Sequence, residues 1–128
     1  MQADWLGWTL RPPGNRALFA GAAESSRTEV FMPRYVVLYD WTEQGVRNFK
    51  DSVDRYEAAK SQLEGLGIRF ADTYWTLGSH DLVSIVDAPD DESLAAGLLA
   101  VAGAGNIRTT TLRAFSAAEM KSVIGKVA

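Results

Sequence analysis

Cysteine is missing from this sequence altogether. That absence removes disulfide staples, thiol nucleophiles and thiolate metal ligands together. Histidine occurs once, at position 80, so no pair or trio of imidazoles can gather round a zinc ion within one chain. Basic charge is outweighed: 13 Lys and Arg face 16 Asp and Glu, a net charge of −3. Such a balance sets up no field that attracts nucleic acid or an anionic membrane surface, and neither is expected as a partner. No apolar stretch reaches the roughly 18 residues that a membrane-spanning helix needs. Met1-Gln2-Ala3-Asp4 brings an acid and lacks the basic start of a secretory signal, so a cytoplasmic protein is expected.

What the sequence does contain is enough apolar residue for one core. The 128 residues, 47% of them hydrophobic, suit a single domain that buries roughly two-thirds of its unfolded surface. Residues 1–31 stand apart, because Arg11-Pro12-Pro13-Gly14-Asn15 is turn material and Ala20 to Ser26 is small and unpatterned. They read as an N-terminal extension, or as a misplaced start before Met32, with residues 32–128 as the domain.

From Met32 onward one arrangement is stated twice. An apolar strand, Arg34 to Asp40, runs into Thr42 as helix N-cap and Glu43 in the first turn. Val46, Phe49, Val53, Tyr56 and Leu63 then recur at helical spacing, predicting a helix over about 43–65. Arg47/Asp51, Asp51/Arg55 and Lys60/Glu64 fall four apart on its outer side. Ile68 to Leu77 and His80 to Ala88 read as a hairpin turning at Gly78-Ser79. Asp90-Asp91-Glu92 opens a second helix over about 91–103, and Ile107 to Phe115 is the fourth strand. Ser116-Ala117-Ala118-Glu119 is a capping box that starts a short last helix. The expected fold class is therefore α+β: a ferredoxin-like βαββαβ unit with a four-stranded antiparallel sheet and an added C-terminal helix. Right-handed crossovers place both main helices on one sheet face. Val36 and Leu38 make the other face apolar too, and a homodimer or larger homo-oligomer would cover it.

The chemistry-bearing residues are few. His80, beside the turn and next to Asp81, could act as a general acid or base oriented by a carboxylate, or simply close the loop. Asp90-Asp91-Glu92 reads as a helix cap rather than a metal cluster, and no metal or cofactor is expected. Asp40 and Asp87 end their strands symmetrically, which suits turn formation as well as paired carboxylates. Arg108 and Arg113 could neutralise an anionic ligand or could be ordinary edge charges. Aromatic and polar groups converge best near the Gly78–Asp81 turn, so the candidate ligand-binding residues are Tyr39, Trp75, His80 and Asp81.

The stretch Thr76-Leu77-Gly78-Ser79-His80-Asp81-Leu82-Val83 resembles the GYD family, small proteins named for a Gly-Tyr-Asp signature. His80 stands where that Tyr would be, while Gly78 and Asp81 fit. Trp41 to Gly45, Ala88 to Glu92 and Gly105 to Phe115 are similar to the same family, and the likeness runs from Met32 to about Lys126. The resemblance implies the dimeric α/β-barrel type of ferredoxin-like fold and implies no reaction. A non-catalytic module that binds a small molecule or forms oligomers is the favoured function, since no catalytic constellation is visible. The alternative is a cofactor-independent oxygenase or isomerase acting on an aromatic small molecule, with His80 or Tyr39 as base. Whether the protein is an enzyme stays open at this point.

Overall fold

The computed structural model describes residues 31–127. The expected N-terminal extension, residues 1–31, falls outside those described residues apart from Phe31. The chain then runs through β1 (Arg34–Trp41), α1 (Glu43–Arg47), a 3₁₀ turn (Phe49–Asp51) and α2 (Ser52–Glu64). It continues with β2 (Arg69–Trp75), β3 (Leu82–Asp87), α3 (Asp91–Ala102), β4 (Ile107–Ala114) and α4 (Ala117–Ile124). The four strands form one antiparallel sheet in the order β2-β3-β1-β4, the α+β, split-βαβ arrangement expected from the element order. Among the described residues no helix is long and apolar enough to cross a membrane.

Strand alternation decides what each sheet face carries. On β1, Tyr35, Val37 and Tyr39 point to the helix side, opposite Val86, Ser84 and Leu82 of β3. Leu63 from α2, Ile68 just beyond it and Leu94 from α3 close over them. Val37, Val86, Leu63 and Ile68 are withdrawn from water, and each such side chain stabilises the fold by roughly 1.5–3 kcal/mol. The other face carries no helix from α2 or α3. There Val36 and Leu38 pair with Ile85 and Val83, while Leu112 and Tyr74 flank them on the outer strands. These last two are 48% and 58% exposed.

The helix starts follow the capping residues. Thr42 accepts from the Gly45 amide, Asp90 from the Ser93 amide, and Ser116 and Glu119 complete a reciprocal capping box. The single helix expected over 43–65 is broken at Asn48 into α1 and α2. Asn48 donates its side-chain amide to the Gln44 carbonyl, and Arg55 reaches back to the carbonyls of Gly45 and Asn48. Side-chain partners of this kind replace the regular ladder. The break moves Val46, Phe49 and Val53 out of the expected apolar stripe, and all three are exposed. Of the spaced charge pairs, Arg47 takes Glu43 at 2.7 Å instead of Asp51, and Asp51/Arg55 and Lys60/Glu64 do not form ion pairs. The β2–β3 hairpin is also looser than a two-residue turn. Its strands stop at Trp75 and restart at Leu82, and the Thr76 amide donating to the Asp81 carbonyl at 2.9 Å draws the loop shut.

Candidate functional site

Two stretches that are far apart in sequence meet at the open end of the helix layer. The Thr42 amide donates to the Asn106 carbonyl at 3.0 Å, and the Thr42 hydroxyl donates to the Gly105 carbonyl at 2.6 Å. Gln44 Nε2 donates to the Ala104 carbonyl and to Asn106 Oδ1 at 3.1 and 3.0 Å. Gly45 is buried against this loop, and only a residue without a Cβ fits there. Gly105 turns the loop with φ +89°, a conformation that glycine tolerates best. The junction fixes α1 on the approach to β4 and so sets one wall of a cavity.

That cavity, about 240 Å³, lies between the helix side of the sheet and helices α2 and α3. Tyr39, Trp41, Phe70 and Ile107 form its sheet wall, with Leu98 and Val101 contributed by α3. From α2 come Ser52, the adjacent Arg55 and Tyr56, Ala59 and Leu63, each step otherwise three or four residues along one side of the helix. Asn106 stands at the junction end. Tyr56 is braced edge-on by Phe70 and Trp75, with ring centroids 5.9 and 5.6 Å away. The wall is therefore rigid, apolar and aromatic, with a guanidinium and a carboxamide set into it.

The expected site residues divide. Tyr39 lines the cavity; Trp75, His80 and Asp81 do not. Trp75 stands behind the wall, donating its indole N–H to Ser52 Oγ at 2.8 Å. His80 Nδ1 lies 3.0 Å from Asp40 Oδ1, and both side chains are about a third exposed, at 35% and 39%. Asp81 is used structurally: Oδ2 accepts from the Trp41 amide, and its own amide donates to the Tyr39 carbonyl, both at 2.8 Å. It thus ties the hairpin loop to the end of β1. Asp40, not Asp81, is the carboxylate that faces the imidazole.

Two phenols, Tyr39 and Tyr35, are held in their protonated form. Burial raises the Tyr39 pKa, with the Ser84 hydroxyl opposing and Tyr56 reinforcing the shift. Tyr35, whose hydroxyl donates to Asp91 at the start of α3, is pushed up to about 12, first by burial and then by that carboxylate. A phenol so held is a hydrogen-bond donor near neutral pH and a poor general base. The acids at the start of α3 have structural work, Asp90 as cap and Asp91 as the acceptor for Tyr35.

Neither arginine of β4 reaches the cavity. Arg113 stacks over the Tyr35 and Phe115 rings at 5.7 and 4.5 Å. Arg108 sits opposite Asp40 in register, on the face away from the cavity. The cation that does line it is Arg55, which hydrophobic periodicity passes over because a polar residue does not count towards an apolar stripe. The spacing Ser52, Arg55, Tyr56, Ala59, Leu63 carries the signal.

The sequence description of the GYD domain matches residues 35–124. Over 90 residues the chain is 31% identical to the "Glutamine synthetase and cystathionine beta-lyase binding protein" of Thermus thermophilus. The alignment takes in 70% of this chain and 95% of that relative.

Proposed function

This chain belongs to the GYD domain family, and from that premise we propose that it is a non-catalytic binding module of the cytoplasm. Residues 32–128 form the working unit, with residues 1–31 as its extension. It self-associates through the sheet face opposite α2 and α3 and, so assembled, docks onto an enzyme of amino-acid metabolism. The observation that carries the reading is the half-buried apolar row of Val36, Leu38, Val83 and Ile85 with the exposed Leu112 and Tyr74 beside it, on the face that α2 and α3 leave uncovered. Contiguous apolar surface of this kind marks an interface. The name of the Thermus relative, which speaks of binding two such enzymes, supports the docking step. The raised pKa of Tyr39 and the place of His80 outside the cavity lining, on Asp40, weigh against an oxygenase or isomerase.

The test is direct titration of the folded chain against glutamine synthetase and cystathionine beta-lyase from the same organism, each immobilised on a biosensor. Saturable binding to at least one enzyme is the expected result. No response from either, with the chain shown folded by circular dichroism, would overturn the docking reading.

A further inference from the structure

We propose that the cavity between the sheet and helices α2 and α3 binds a small planar aromatic carboxylate. This goes beyond partner docking, which uses the outer surface. The volume of about 240 Å³ falls just short of the roughly 300 Å³ at which drug-sized ligand sites begin. One ring system with a short acidic arm is the ligand of that size. Tyr39, Tyr56, Phe70 and Leu98 provide the faces and edges against which such a ring packs.

The acid is called for by Arg55. It is partly buried in this apolar wall, and no carboxylate of the described residues lies within ion-pair distance of it. It donates to the Asn48 and Gly45 carbonyls, at 2.6 and 3.2 Å. A guanidinium has five N–H donors in a fixed fork, so these two bonds orient the group and leave donors over. The carbonyls hold it in place without neutralising it. A cation fixed at an apolar surface is completed by an anion, and a carboxylate matches its fork in two parallel bonds. Asn106, lining the same cavity, has its Oδ1 taken by Gln44 Nε2. That bond occupies the amide oxygen and leaves the Asn106 nitrogen as a further donor. A single guanidinium balances a single negative charge, which favours a carboxylate over a doubly charged phosphate.

Isothermal titration with benzoate, phenylacetate and indole-3-acetate, each beside its neutral amide, tests the proposal on the full chain. At least one acid is expected to bind, and its amide about tenfold or more weaker, the effect of losing a charge-assisted hydrogen bond. Arg55→Gln should weaken the acid by about ten- to a hundredfold. Arg55 also secures the α1–α2 break, so a second variant, Ala59→Phe, fills the cavity while leaving the guanidinium in place. It should abolish binding with the circular dichroism spectrum unchanged. Failure of all three acids to bind at millimolar concentration would overturn the proposal. So would equal affinity for acid and amide, or undiminished binding by the folded Ala59→Phe protein.

Discussion

Among the described glycines, Gly45→Ala is expected to be the most damaging addition of a single methyl group. A Cβ there would stand 2.0 Å from the Asn106 carbonyl oxygen and 2.9 Å from its carbon. Both are backbone atoms that cannot rotate aside, and that oxygen already accepts from the Thr42 amide. Relief requires α1 to move off the loop before β4. Such a movement breaks the Thr42 bonds and both Gln44 bonds together. Overpacking against a fixed neighbour and the loss of these hydrogen bonds should cost about 3 kcal/mol or more. For a domain of this size that lowers Tm by about 10 °C or more. Thermal melts of the two proteins check it, and a Tm indistinguishable from wild type would show that the junction is not tightly held. Because Asn106 also lines the cavity, any surviving Gly45→Ala protein should bind cavity ligands poorly.

Asp87 should give the second largest effect, with a pH signature of its own. Its side chain, 6% exposed, takes Arg34 Nε and Nη2 at 2.8 and 3.0 Å and Arg69 Nη2 at 3.3 Å. The three residues form one row across β1, β3 and β2. Burial alone pushes the carboxyl pKa up, but the bonds and charge of Arg34, then those of Arg69, outweigh it and hold the group below its ordinary value. A depressed folded pKa means that the stabilisation is complete above the unfolded value of about 3.9. It is lost as pH falls through the lower, folded pKa. Asp87→Ala leaves both guanidiniums without their carboxylate. They are 49% and 65% exposed, so water offsets part of the loss, leaving a cost of about 2 kcal/mol at pH 7. Urea unfolding should show that gap at neutral pH and a shrinking gap below about pH 4. A gap that stays constant with pH would remove the ion-pair explanation.

Much of the architecture was legible because local signals agreed with one another. Thr42, Asp90 and Ser116 each announce a helix start and each makes its capping bond. The alternation of Tyr35, Val37 and Tyr39 with Val36 and Leu38 foretells both the buried face and the open one. The break at Asn48 was not legible, because Val46, Phe49 and Val53 keep helical spacing straight through it. Only the folded chain brings Arg55 to the Gly45 and Asn48 carbonyls. Nor was the cavity's cation, since Arg55 reads as an outward partner of Asp51 until α2 is seen against the sheet. The place of Tyr39 under the helices was readable, because alternation along a central strand puts it there. Asp81 drew notice beside the sole histidine, yet its carboxylate serves the Trp41 main chain.

Sedimentation equilibrium on the chain alone, at micromolar concentration, tests most directly the claim that the sheet face opposite α2 and α3 is a binding surface. The account predicts a mass of at least twice the 14.0 kDa chain, and reversion to monomer when Leu38→Arg places a charge at the centre of that face. A wild-type protein that sediments as a 14.0 kDa monomer, or a Leu38→Arg protein that assembles unchanged, would contradict it.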